Sequence, residues 1–337
     1  MSDDVTQLKE LQAPVSNRIA KLIADSVNSR LCAHDPTLWT DDPVGQAEVK
    51  RRLGWLDLPE TSRDLAEEAT AFAQEVKDSG ITKTLLLGMG GSSLGPEVMS
   101  LTFNLKPGKF AILDSTDPAQ VAEAAQSFPP DETLYIVASK SGGTAETMSA
   151  FTYFWEQSGG DGSHFIAITD AGSGLERLAK ENKFRKIFLA DPNVGGRYSA
   201  LTAFGLVPAA LIGVDLDRAL DSAAEMMGQC AVPERRRSDS ADVVEEQHEG
   251  ASVLRLQAQE QSLSAQELDN HALFFGAVMG EAALAGRDKL TIVTDPSFNS
   301  FGAWAEQLIA ESTGKEGKGI VPIDGESILA AEKYGND

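Results

Sequence analysis

Leu134-Tyr135-Ile136-Val137-Ala138 runs directly into Ser139-Lys140-Ser141-Gly142-Gly143-Thr144-Ala145-Glu146-Thr147. The first run is apolar and strand-like, and the residues after the second, Met148 to Trp155, read as a helix. A strand that ends in glycines and hydroxyls at the start of a helix is built to hold a phosphate. Glycines let backbone N–H groups approach closely, and the helix N-terminus adds unpaired donors and partial positive charge. Ser139, Ser141 and Thr144 add side-chain donors. An ordinary loop whose serine caps a helix explains the same letters, so both readings stand at this point.

The same texture extends on either side. From residue 81, short apolar runs alternate with helix-like segments: Thr84–Leu87, Phe110–Leu113, Leu134–Ala138, Phe165–Ile168 and Ile187–Ala190. Five such runs predict parallel strands with crossover helices, a doubly wound α/β sheet. Ligands in that architecture bind beyond the carboxyl ends of strands, where the glycine- and hydroxyl-rich segments fall. Residues 1–80 read as helices, with Val15, Ile19, Leu22 and Ile23 at helical spacing and a second such pattern from Leu65 to Val76. The reading divides the chain into this helical segment, a first α/β domain over 81–230, a polar connection over 231–267, and the beginning of a second α/β unit over 268–337. In that last part Ala272–Leu284 is helix-like, Leu290–Val293 strand-like and Phe301–Ile309 helix-like. One strand with its flanking helices does not make a sheet alone.

The 337 residues, 42% apolar and 7% aromatic, suffice for a large core. A net charge of −22 argues against nucleic acid and against an anionic membrane surface as partners. It also obliges a phosphate ligand to enter a negative field, with Lys140 and Arg197 as the candidate local cations. The two cysteines, Cys32 and Cys230, lack metal-ligand spacing, and at most one bridge is available to them. A reducing cytosol is the expected setting. The opening MSDDVTQLKE carries no signal pattern. The apolar stretch Phe204 to Val214 is too short to span a bilayer.

Three further segments bear on chemistry. Gly88-Met89-Gly90-Gly91-Ser92-Ser93-Leu94-Gly95 follows the first strand and precedes a helix expected near Pro96. It has the outline of a dinucleotide turn, with Asp114 placed for a ribose, but Ser93 stands where the third glycine belongs. The paired serines suit a sugar or phosphate better. Gly195-Gly196-Arg197-Tyr198-Ser199 sets a permanent, planar cation beside a close-approach loop, although a surface ion pair is the commoner fate of an arginine. Finally, Gln307 and Glu311 share one face of the helix from Phe301. Glu311 near that helix's C-terminus is disfavoured by the macrodipole, so it is either exposed or held there for proton abstraction.

Taken in order, GMGGSSLGPEV, LDSTDP, SKSGGTAET, GGRYSALTAFGLVPAAL and EQLIAESTGKEGKG resemble signature segments of the glucose-6-phosphate isomerase (phosphoglucose isomerase) family, with its sugar-isomerase fold. The N-terminal LWTDD and RLGWLDLP resemble the bacterial form sometimes fused behind a transaldolase. The resemblance implies an aldose–ketose isomerase of glucose 6-phosphate and fructose 6-phosphate working through a cis-enediolate. It implies Gly91 with Ser92, and Ser139, Lys140, Ser141 and Thr144, as the grip on the sugar phosphate. Arg197 would stabilise the enediolate, Glu311 would be the base between C2 and C1, and Gln307 would touch the sugar. Neither metal nor cofactor is called for, and the complete form would be a cytoplasmic homodimer.

The family also uses a histidine from the neighbouring subunit after the glutamate segment, and a lysine near the C-terminus, to open the sugar ring. His34, His164, His248 and His271 all precede Glu311 and match no such position. The expectation is a C-terminally truncated chain that keeps the phosphate clamp, with ring opening or turnover impaired. Two rivals remain: a non-catalytic sugar-phosphate-binding module and an NAD-dependent oxidoreductase.

Overall fold

Five parallel strands form a single sheet in the order β2-β1-β3-β4-β5, in a computed structural model that describes residues 8–103, 107–231, 270–327 and 333. They are β1 (Lys83–Gly88), β2 (Phe110–Leu113), β3 (Thr133–Ala138), β4 (Phe165–Asp170) and β5 (Lys186–Ala190). Each apolar run of the sequence is one of these strands. Residues 232–267 of the expected polar connection, and His248 with them, lie outside the described residues.

Alternate residues of each strand enter different cores, as the two-residue side-chain repeat requires. Leu86, Ile136 and Ile168 face one layer, where α5 (Arg63–Asp78) and α10 (Ala203–Ile212) contribute Phe72, Phe204 and Val207. Leu87, Val137 and Ala167 face the other, against α7 (Pro118–Ser127), α8 (Ala145–Gln157) and α9 (Gly174–Glu181). Helices on both faces explain why the strands read as continuous apolar runs. Every residue of α10 is buried.

The chain leaves β1 for β2 through α6 (Leu94–Phe103) on the first face, and leaves β3 for β4 through α8 on the second. The loops after β1 and β3 therefore part company, opening a crevice at the carboxyl edge of the sheet. Helix α6 begins two residues before the position expected from Pro96, which lies in its first turn. Proline is tolerated there because first-turn N–H groups have no intrahelical partner.

The N-terminal helices divide between two bodies of structure. Val15 and Ile19 of α1 (Gln12–Ala24) pack against Phe274 and Ala277 of α12 (His271–Leu284), whereas α5 packs on α10. Beyond α12 come β6 (Lys289–Thr291), α13 (Phe301–Thr313) and β7 (Val321–Ile323). Strands β6 and β7 pair in parallel, so this part holds a second strand that the sequence reading did not find. The short apolar run Ile320–Ile323 is interrupted by Pro322, and a proline within a run counts against a strand reading. Helix α13 packs against α6 and against the 3-10 turn Gly196–Leu201, which carries Arg197 to the crevice.

Candidate active site

An open cleft of about 420 Å³ lies at the carboxyl edge of β1 and β3. Gly91 and Ser92 line it from the loop after β1, and Lys140, Ser141 and Thr144 from the loop after β3. Asp170, at the end of β4, and Gly196 complete the wall with Met89. A larger cavity of about 1140 Å³, walled mainly by apolar side chains such as Leu22, Leu273 and Met226, lies among α1, α12 and α11 (Leu216–Ala231).

The loop after β3 is shaped from within. Ser139 is buried, and its hydroxyl accepts from Gly142 N–H at 3.1 Å and shares a 2.9 Å hydrogen bond with Thr144 Oγ1. It supports the loop from below while Ser141 and Thr144 line the cleft. Gly142 has φ +70°, and a Cβ there would lie 2.5 Å from the backbone nitrogen of Leu175, so no larger residue fits. Thr144 is the N-cap of α8 but makes no side-chain capping bond. The neighbouring helices α7 and α9 are capped by Asp117 and Ser173. The capping-loop reading thus fails for α8, whose first-turn N–H groups stay available to a ligand at the cleft.

The loop after β1 meets the arginine turn at van der Waals range. A Cβ on Gly91 would lie 2.4 Å from the carbonyl carbon of Gly196, and Ser199 Oγ donates to Gly91 O at 3.0 Å. Glycine at 91 lets these two segments form one wall.

Arg197 sits in a bracket. Its Nε donates to Ser312 Oγ at 3.0 Å, and its Nη1 donates to Glu311 Oε2 at 3.2 Å. Ser312 Oγ also lies 2.9 Å from Tyr198 Oη. The guanidinium carbon stands 5.3 Å from the Tyr198 ring, which stacks on Trp55 at 4.9 Å. Ser312, Tyr198 and Trp55 were not legible as site residues, because each reads as an ordinary helix or loop residue until the segments are brought together.

Gln307 Nε2 donates to Glu311 Oε1 at 3.2 Å, and a Cβ on Gly90 would meet that same Nε2 at 2.9 Å. Gln307 Oε1 is buried without a hydrogen-bond partner among the described residues. The dipole conflict at Glu311 is offset by two cations, Arg197 at its carboxylate and Lys315, whose Nζ donates to its carbonyl oxygen. The Glu311 side chain remains 51% exposed.

Lys140 differs from expectation. Its Nζ reaches both oxygens of Asp170, at 3.0 and 2.8 Å, and Asp191 O at 3.3 Å. On α6, Glu97 has its carboxyl raised above the usual range, first by burial and then by the negative charge of Asp114. Among the described residues no three His, Cys, Asp or Glu side chains gather as metal ligands, and no helix is long and apolar enough to cross a membrane.

The sequence profile of phosphoglucose isomerase matches residues 61–234, a little over half of the chain. A glucose-6-phosphate isomerase of Thermus thermophilus is 36% identical over 185 residues, covering 52% of this chain and 43% of its own length. One from Thermosynechococcus vestitus is 30% identical over 328 residues, covering 92% of this chain and 53% of that protein. The chain thus spans about half the length of the curated relatives it matches. Among solved structures, a hypothetical protein from Thermus thermophilus superimposes with a TM-score of 0.68 at 24% identity, over 94% of this chain and 67% of that one. A glucose-6-phosphate isomerase from Chlamydia trachomatis does so with a TM-score of 0.59 at 18% identity, over 95% and 59%. These two likenesses establish the shared α/β fold.

Proposed function

This chain belongs to the phosphoglucose isomerase family, and on that premise we propose that it interconverts glucose 6-phosphate and fructose 6-phosphate. One observation carries the reading: a carboxylate and a fixed guanidinium, Glu311 and Arg197, converge 3.2 Å apart beside a hydroxyl-lined cleft at the sheet's carboxyl edge.

In this reading the phosphate lies against Ser141, Thr144, Ser92 and the start of α8, with Gly91 giving backbone access. Ser139 shapes the pocket from beneath, and Lys140 sits at its rim. Anchoring the phosphate orients the open-chain sugar so that its C1–C2 end reaches Glu311. Glu311 takes the proton from C2 of the aldose and returns it to C1, while the hydroxyl proton of O2 passes to O1, giving the ketose. The negative charge that develops on the oxygens of the cis-enediolate faces Arg197, whose charge does not titrate away. Gln307, one turn before Glu311 and donating to its carboxylate, stands beside the sugar. His34, His164 and His271 do not line the cleft, so the proposal concerns proton transfer on an already open substrate.

The exposure of Glu311 favours a second reading, a sugar-phosphate-binding module without turnover. Deuterium exchange separates the two. With fructose 6-phosphate in D2O, wild type should introduce deuterium at carbon, as read by NMR, and Glu311→Gln should lose it while still binding phosphate. Binding by wild type with no exchange would leave the binding module as the function; undiminished exchange in Glu311→Gln would remove this residue as the base.

A further inference from the structure

Lys140 and Asp170 are the only charged residues among the eight that line the cleft, and each is the other's partner. Both are about three-quarters buried, with side-chain exposures of 27% and 23%. The lysine is therefore not a free cation waiting for an anion. Its charge is cancelled at contact distance, inside a molecule whose net charge is −22.

We propose that Asp170 sets how tightly this cleft holds an anion, by neutralising Lys140 and leaving the empty pocket with no net charge. The proposal rests on the cleft being the phosphate site. An anion entering it meets neutral donors: the hydroxyls of Ser141 and Thr144 and the uncapped first turn of α8. It also meets the Asp170 carboxylate in the same wall. Recognition then depends on the fit of hydrogen bonds around a tetrahedral ion rather than on charge, and affinity is held down so that product leaves.

Asp170 could instead serve only to aim Lys140 at the ligand. The two roles predict opposite signs. A lysine needs no aiming to act as a point charge on a flexible stem, and Asp191 O retains a hold on this one at 3.3 Å. Replacing the carboxylate by an amide keeps the shape at position 170 and restores one positive charge to the pocket.

Titration calorimetry of the whole chain with inorganic phosphate tests this at low salt. Asp170→Asn should bind phosphate more tightly than wild type, by roughly three- to tenfold for one unit charge at a partly solvated site. The gain should shrink as salt rises, since exposed charge is screened. The double variant Lys140→Gln with Asp170→Asn removes the restored charge again, so the gain over wild type should disappear. Circular-dichroism melts of each protein establish that it is folded. Unchanged or weaker binding by folded Asp170→Asn, with wild type binding normally, overturns the proposal alone. Absence of phosphate binding in every variant and in wild type overturns the assignment of the cleft, and this inference with it.

Discussion

Arg197 Nη1 lies 3.2 Å from Glu311 Oε2, joining two residues 114 positions apart at the mouth of the cleft. The pair is asymmetric in how it is held. Arg197 keeps a second anchor on its Nε edge at Ser312, while the Glu311 carboxylate has Gln307 and open solvent as its other neighbours. The carboxylate is therefore the less firmly held of the two partners.

Arg197→Lys should lower turnover on the order of 10²-fold, comparable to removing one preorganised donor from an oxyanion site. The charge remains but the planar fork that spans Ser312 and Glu311 is lost. KM should change far less than kcat. A coupled assay of fructose 6-phosphate conversion reads both, and wild-type kcat would remove Arg197 from the proposed role.

Ser312→Ala removes the acceptor of Arg197 Nε and the partner of Tyr198 Oη together. A hydrogen bond to a charged group contributes about 1.5–3 kcal/mol, so urea unfolding should show a loss within that range. Turnover should fall as well, while Ser312→Thr, which keeps a hydroxyl, retains most of both. Equal behaviour of the alanine and threonine variants would contradict the bracket.

Gly91→Ala places a methyl group 2.4 Å from one backbone atom of Gly196 and 2.5 Å from another. Backbone cannot swing aside as a side chain can, so the loop after β1 must separate from the arginine turn. A loss of about 1–3 kcal/mol is expected, the range for forced overpacking, with phosphate binding weakened in parallel. Denaturant melts and calorimetry on the same preparation measure the two effects.

Glu97 makes stability depend on pH in a direction opposite to most carboxylates. Burial, then Asp114, raises its folded pKa above the usual 4.5, so the folded chain holds this proton more tightly than the unfolded chain. Stability from this group is full below 4.5 and is lost as pH rises through the folded value. Glu97→Gln should therefore raise Tm at pH 7, and the advantage should shrink near pH 4. A constant difference across that range would show that the charge at Glu97 is not the cause.

The strands were legible because helices cover both faces of the sheet, which forces runs such as Leu134–Ala138 to be apolar without interruption. Strand β7 was not, because Pro322 lies inside its short apolar run and only pairing with β6 makes it a strand. The loop after β3 stood out through its glycines and hydroxyls, yet the division of labour within it was not legible. Ser139 and Ser141 are two residues apart and look alike in sequence; one supports the loop from a buried position and the other lines the cleft. Asp170 escaped notice because it joins Lys140 only through the register of β3 with β4, across 30 residues.

The order of residues determined by itself what depends on near neighbours: strands from apolar runs, helices from periodicity, and turns from glycine and hydroxyl clusters after strand ends. Tertiary structure alone decided which charges meet. Lys140 with Asp170, Arg197 with Glu311, and Gly91 against Gly196 are pairings between segments distant in the chain. Electrostatic and steric energies depend on separations of a few ångströms, and only the packing of helices on the sheet sets those separations.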